Sequence, residues 1–385
     1  MNSRPGYALA HPPAPGEVNL TNWQDSPWNA WGFSHLTELV PTAVVSRGER
    51  TGGGAVGLGD LDRSRFDGFV EATGSRAVVV LRDGVPVREW YGEDMTVDTR
   101  HTLMSISKSL CGLLYGRLIG QGVVTEETTI GSVVPDLAGS AFGDATIRQA
   151  LDMQVSVDYV EAYHDPAAHV AQQDRVAGWR PRLPDDPADT YEFLTTLKRL
   201  GEHGRHLQYC SATTDSLAWV VERATGRRYH EVLSDELWSL VPTENDAVIT
   251  VDPGGFAFAN GGVACTARDL ARFGQLVLDG GAVDGRQVVP EAWIQQLLAG
   301  GSLEAAAGSP FQEVHPNGSY LGQWWVTGDD HGVVYGAGIH GQYLWVDPTA
   351  RVVVAKFAAH RDAVSLDALR ANSEFMRWLV ASVAG

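Results

Sequence analysis

The chain has 385 residues, 44% of them hydrophobic and 20% charged, the balance of one large globular domain or two intertwined ones. A formal net charge of −18 argues against nucleic acid and against an anionic membrane surface as partners. The N-terminus lacks the apolar run of a signal peptide, and no stretch nears the ~18 apolar residues of a membrane-spanning helix, so the expected location is the cytoplasm.

Residues 1–60 are rich in Pro, Gly and Trp and read as an irregular arm wrapping the body. The run Ala77-Val78-Val79-Val80-Leu81 is a buried-strand pattern, Asp83-Gly84 a tight hairpin turn, and Val85–Tyr91 the returning strand. Next comes Met104-Ser105-Ile106-Ser107-Lys108-Ser109-Leu110-Cys111-Gly112, a short extended segment entering an apolar helix that continues through Leu113, Leu114, Leu118 and Ile119. Residues i and i+3 share a helix face, so the Ser105 hydroxyl comes within reach of the Lys108 amine. A desolvated lysine loses part of its preference for the charged form and can take up a proton, while the helix N-terminus supplies N–H groups and favours negative charge. Nucleophile, base and part of an oxyanion site can thus come from one helical turn. Gly112, Gly116 and Gly120 recur every four residues and predict close packing of this helix against another element.

From about 130 to 260, short helices alternate with loops; 144–159 and 189–200 are the clearest helical pieces. Tyr209-Cys210-Ser211 precedes a helix around Ser216–Val221 that stops at Gly226. Tyr209 either presents its phenol into a cleft, where it could shuttle protons, or is an ordinary packed tyrosine. Thr266-Ala267-Arg268-Asp269 predicts a capping box opening a helix over Leu270–Leu278, ended by Asp279-Gly280-Gly281. Strands are predicted at Gly322–Thr327, His331–Tyr335, Tyr343–Val346 and Arg351–Phe357, and a last helix through Phe375–Val380. The glycine-rich Gly336–Gln342 lets backbone approach a ligand and could add a second oxyanion donor. His340 within it is either a general base or a hydrogen-bonding structural residue.

Strands at both ends of the chain and helices between them predict a mixed α/β (α+β) fold: a central antiparallel sheet flanked by helices, with an inserted all-helical domain. The expected division is 1–130 and 261–385 for the sheet domain and 131–260 for the helical one. There is no Gly-x-Ser-x-Gly elbow, Walker A motif, GxGxxG after a strand or HExxH. His164/His169 and His203/His206 have helical spacing but no completing ligand, so neither a metal nor an organic cofactor is expected. Cys111 and Cys210 sit beside the motifs, yet with Cys265 they match no metal spacing and no disulfide framework, and read as small buried core residues in a reducing compartment.

Ser105-x-x-Lys108, then Tyr209-x-Ser211, then a late Gly-rich strand resemble the penicillin-recognising serine hydrolases: class C β-lactamases, DD-peptidases and family VIII carboxylesterases. "LMSISKSLCG", "LDMQVSVDY", "QYCSATTDSLAWVVERATG", "FANGGVACTARDLAR" and "GIHGQYLWVDP" are similar, within that group, to the nylon-oligomer hydrolases, from about residue 20 to the end. The resemblance implies a β-lactamase/DD-peptidase-like fold with the site between sheet and helices. It implies Ser105 as nucleophile, Lys108 as base, Tyr209 as proton donor to the leaving amine, and the N–H groups of Ser105 and Ile339 as the oxyanion hole. Tyr163 would hydrogen-bond the substrate amide, Asp174 would hold its cationic amino end, Asn260 would line the cleft and Trp325 would close over it. From the residues alone, Tyr163 and Trp325 could equally be packing residues, and Asp174 with Arg175 a surface ion pair. The expected reaction is acyl-enzyme hydrolysis of linear 6-aminohexanoate oligomers, a small-molecule amide. A short-chain carboxylesterase or a non-catalytic sensor are the alternatives, and a homodimer is implied as possible. The Lys-Thr-Gly strand of β-lactamases is missing, which argues against β-lactam hydrolysis as the main activity.

Overall fold

A computed structural model describes residues 12–49 and 56–383. Its strands are β1 (Thr42–Val45), β2 (Ser75–Arg82), β3 (Val85–Tyr91), β4 (His101–Thr102), β5 (Ala247–Thr250), β6 (Val263–Cys265), β7 (Ala282–Val283), β8 (Arg286–Gln287), β9 (Ser319–Leu321), β10 (Trp324–Val326), β11 (Val334–Gly338), β12 (Gln342–Asp347) and β13 (Val352–Ala358). Seven of them form the main antiparallel sheet in the order β3-β2-β13-β12-β11-β10-β9, so the two ends of the chain meet at the β2–β13 pairing. A second sheet, β1-β5-β6-β4, lies beside the site, and β7–β8 is a small hairpin.

The pleat sorts side chains by a period of two, and the main sheet uses both faces. Val78, Val80, Val352, Val354 and Trp345 point to one side and pack with Phe66 and Val70 of the Arg63–Thr73 helix and Phe375, Met376 and Leu379 of the Leu366–Ala381 helix. Ala77, Val79, Leu81, Val353, Ala355, Leu344 and Val346 point to the other, towards the Ile106–Gly120 and Ala267–Leu278 helices. Strands covered on both faces read as the near-continuous apolar runs seen in the sequence.

The Ile106–Gly120 helix is buried nearly all round. Its four-residue glycine repeat has the predicted cause. A Cβ on Gly112 would sit 2.0 Å from the Gly322 carbonyl oxygen, and one on Gly116 would sit 2.5 Å from the Trp293 ring.

Several predicted boundaries shift. The 144–159 segment is helical only over Ile147–Leu151; the Asp152 carboxylate then takes Arg148 and the Gly322 N–H, and Met153 turns at φ 53°. In 189–200 the helix spans Thr190–Thr196. Thr266 caps the Ala267–Leu278 helix through the Asp269 N–H, but the Asp269 carboxylate does not return to the cap N–H. It accepts instead from the N–H groups of Glu244 and Asn245. The strand expected at Gly322–Thr327 is shorter, β10 alone, because Gly322 and Gln323, at φ 56° and 70°, form the turn that joins it to β9. The strand expected at His331–Tyr335 runs over Val334–Gly338, and the last helix is longer, Leu366–Ala381. In the N-terminal arm, residues 1–11 and 50–55 lie outside the described residues. The rest is more regular than expected: β1 pairs with β5, and Trp23 is buried against Trp179, donating from Nε1 to the Trp179 carbonyl at 2.8 Å. No helix among the described residues is long and apolar enough to cross a membrane.

Candidate active site

Ser105 is the N-cap residue of the Ile106–Gly120 helix, 9% exposed at the floor of a narrow cleft. The residue before it, Met104, has φ 50°, a left-handed conformation that costs a non-glycine residue energy and that clusters at functional sites. One turn on, Lys108 is 1% exposed. Its Nζ lies 2.9 Å from Ser105 Oγ and donates to the Asn260 carbonyl at 2.8 Å. No carboxylate among the described residues forms an ion pair with it. Burial pulls the amine down to about 8, against the opposing charges of Glu161 and Asp215. A neutral amine with one N–H on Asn260 and its lone pair towards Ser105 fits these contacts.

Tyr209 stands immediately before the Ser211–Thr225 helix, which begins earlier than the sequence indicated. Its ring faces Lys108 Nζ at 5.2 Å. Burial, reinforced by the charge of Glu161, holds the phenol protonated well above its ordinary range, while an interaction with the Ser105 hydroxyl pulls the other way. A protonated phenol beside the serine can give a proton; it is poorly suited to take one.

The late strand closes the site. A Cβ on Gly338 would fall 2.4 Å from the Leu103 carbonyl oxygen, so only glycine lets β11 approach the segment carrying Ser105. Ile339 follows directly and lines the same cleft. Among the described residues, no backbone acceptor is found for the main-chain N–H of Ser105 or of Ile339, leaving two donors unspent where an oxyanion would need them. His340, of two possible roles, takes the structural one. It is buried, adopts φ 62°, hydrogen-bonds the His360 carbonyl through Nδ1 at 2.8 Å, and burial lowers its pKa to about 4.

Tyr163, Asp174 and Asn260 share the cleft lining with Ser105 and Ile339. Tyr163 donates to Glu161 Oε1 at 2.5 Å, so it is no mere packing residue. Asp174 is 7% exposed and not a surface group. Its partner is Arg180, whose Nε donates to Oδ2 at 3.0 Å, with Gln24 Nε2 adding a 3.4 Å contact to the same oxygen. Arg175 pairs with Asp186 instead, which removes the Asp174–Arg175 reading. Burial raises Asp174 and Arg180 opposes the rise. Trp325 stacks on Tyr209 at 5.4 Å and 18° and packs on Phe311, reaching the site through the tyrosine.

Four participants were invisible in the sequence. Glu161 accepts from Tyr163 and from the N–H and hydroxyl of Ser211; Asp215 accepts from Asn260 and from Gln173; Arg180 covers Asp174. Only Asp215 left a trace, as a charge inside an otherwise buried helix. The three cysteines are buried and free, and no group of ligands able to hold a metal occurs among the described residues.

A serine and a buried lysine on one helical turn, a tyrosine opposite and a glycine strand behind define a class, and the comparisons agree. The β-lactamase family model matches residues 63–372, and the chain belongs to that family of serine hydrolases. More particularly, it is 49% identical over 358 residues to the 6-aminohexanoate-dimer hydrolase of Paenarthrobacter ureafaciens, covering 91% of this chain and 90% of that one. A structure from Bacillus anthracis, provisionally described as a 6-aminohexanoate-dimer hydrolase, superposes with TM-score 0.87 at 26% identity, covering 97% of this chain and 98% of that one. A family VIII carboxylesterase shares the fold at TM-score 0.60 and 13% identity, covering 84% of this chain and 99% of that one.

Proposed function

We propose that the chain hydrolyses the amide bond of linear 6-aminohexanoate oligomers through an acyl-enzyme on Ser105. The observation that carries this is the 2.9 Å contact between Ser105 Oγ and a buried lysine amine that has no ion-pair partner among the described residues. Lys108 Nζ takes the Ser105 proton as Oγ bonds to the substrate carbonyl carbon. The N–H groups of Ser105 and Ile339 hold the oxyanion, each worth about 2.7–4 kcal/mol of barrier in sites of this kind. Tyr209 gives its proton to the amine nitrogen as the C–N bond breaks, and the Lys108 ammonium restores the phenol. Water then attacks the ester, its proton passes to Lys108 and on to Ser105 Oγ as the acid leaves. The relative's substrate and the buried Asp174, one of whose oxygens is left clear of Arg180 and Gln24, support an ammonium-ended amide as substrate. In this reading Tyr163 meets the amide, Asn260 lines the cleft, and Trp325 acts from behind Tyr209, on whose ring it stacks.

One observation favours a second reading, a carboxylesterase: Arg180 already neutralises Asp174, so amine recognition competes with an internal cation. A panel of the linear 6-aminohexanoate dimer, a short-chain aryl ester and a cephalosporin, run on wild type, Ser105→Ala and Tyr209→Phe, separates them. The amidase reading expects dimer cleavage that vanishes in Ser105→Ala and falls about 10²–10⁴-fold in Tyr209→Phe, with a smaller loss on the ester. Ester turnover alone, or equal losses in Tyr209→Phe, supports the esterase. Near-wild-type rates in Ser105→Ala sink both.

A further inference from the structure

The reaction as written leaves a buried carboxylate unused. Asp215 lies inside the Ser211–Thr225 helix and is fully buried. Its Oδ1 accepts from the main-chain N–H of Asn260 at 3.1 Å, and its Oδ2 from the Asn260 side-chain Nδ2 at 2.7 Å. Gln173 Nε2 adds a third bond to Oδ2 at 2.6 Å, and Tyr159 fixes Gln173 by donating to its Oε1 at 2.5 Å. All three bonds come from donors and, with the charge of Lys108, favour the ionised carboxylate against burial, which raises its pKa to about 7. Both nitrogens of Asn260 are therefore gripped by one side chain. Of the two oxygens that remain, the main-chain carbonyl receives Lys108 Nζ.

We propose that Asp215 is a positioning residue for the general base: by holding Asn260 at two nitrogens it aims the Asn260 carbonyl at Lys108, which turns the amine's lone pair towards Ser105. The inference rests on Lys108 being the base. Gln173 extends the same support to the substrate side, because its neighbour Asp174 is on the His169–Val176 helix and lines the cleft. The groups facing Lys108 are Glu161, Asp215, Cys210, Cys111 and the Tyr209 ring. Removing the Asp215 charge therefore both loosens the aim and lowers the proton affinity of the amine.

The test is the pH dependence of Ser105 labelling by a small alkyl phosphonofluoridate, which forms a P–O bond, expels fluoride and gives the serine proton to the base. It carries neither an amine nor a carboxylate, so substrate recognition does not enter. Wild type is expected to label faster with rising pH and level off, and Lys108→Ala to lose that limb. Absence of Ser105 labelling, or a flat profile, would sink the proposed function itself. With wild type as expected, Asp215→Asn should lower the plateau by tenfold or more and move the midpoint down by about one pH unit. Asp215→Glu keeps the charge but not the reach to both nitrogens; it should lose the plateau to a similar degree with the midpoint unmoved. A wild-type plateau in either variant overturns the inference, as does a lowered plateau in Asp215→Asn with an unmoved midpoint, the signature of plain structural damage. If Asp215→Asn does not fold, as judged by circular dichroism and gel filtration, Asp215→Glu decides by its plateau: a lowered plateau in a variant that is native by both measures and keeps the wild-type midpoint supports the inference, and a wild-type plateau overturns it.

Discussion

The molecule contains two buried lysines in almost the same local setting. Lys108 is 1% exposed and Lys356 0%. Each donates to a backbone carbonyl at 2.8 Å, Asn260 for one and Gly341 for the other. Each lies near a tyrosine ring, at 5.2 Å from Tyr209 and 5.7 Å from Tyr343. Burial lowers the proton affinity of both. Only Lys108 meets a serine hydroxyl at the floor of a cleft, with Glu161 and Asp215 opposing the effect of burial. Lys356 is enclosed in the β13 strand and fastens the turn that carries Ile339. Desolvation makes an amine a weaker ammonium in both places; what makes one of them a base is what stands next to it.

Substitutions can break that comparison. Lys108→Ala should cost the most, about 10⁶-fold in kcat, as loss of a member of a nucleophile–base unit does in serine hydrolases. Gly338→Ala follows: the added Cβ meets the Leu103 carbonyl oxygen, pushes the Ile339 N–H off target and should cost about 10²–10³ in kcat with KM little changed. Asp174→Asn should raise KM about 10–100-fold for substrates with a free amino end and leave neutral esters nearly untouched. Lys356→Met should be mildest, less than about tenfold in kcat, because the amine lost there serves a carbonyl on the turn and no reacting group. Steady-state kinetics on the dimer and on an aryl ester read all four. A Lys356→Met loss as large as that of Lys108→Ala would erase the distinction between the two lysines.

The catalytic turn was legible because it is local: Ser105 and Lys108 are one helical turn apart, and the glycines at 112 and 116 announced close packing, though not against which element. The β2–β3 hairpin was legible for the same reason. The support shell was not. Asp215 reaches Asn260 across 45 residues and Arg180 reaches Asp174 by a turn that no periodicity marks. The 144–159 segment misled because its apolar spacing suits a helix, while its side chains serve other ends. Past Leu151 the chain turns left-handed at Met153, and Val157 is clamped from both sides by the Gln208 amide, at 3.0 and 2.6 Å. Tertiary hydrogen bonds outweigh propensity there.

The central claim is that Lys108 gives up its proton close to neutral pH. An NMR titration of the Lys108 Nζ in the free enzyme, with the signal assigned by its loss in Lys108→Ala, tests it directly. The account predicts a midpoint near 8, with the charged form below it and the base above it. A midpoint at the ordinary 10.5 would mean that Ser105 has an ammonium, not an amine, beside it, and would contradict the mechanism.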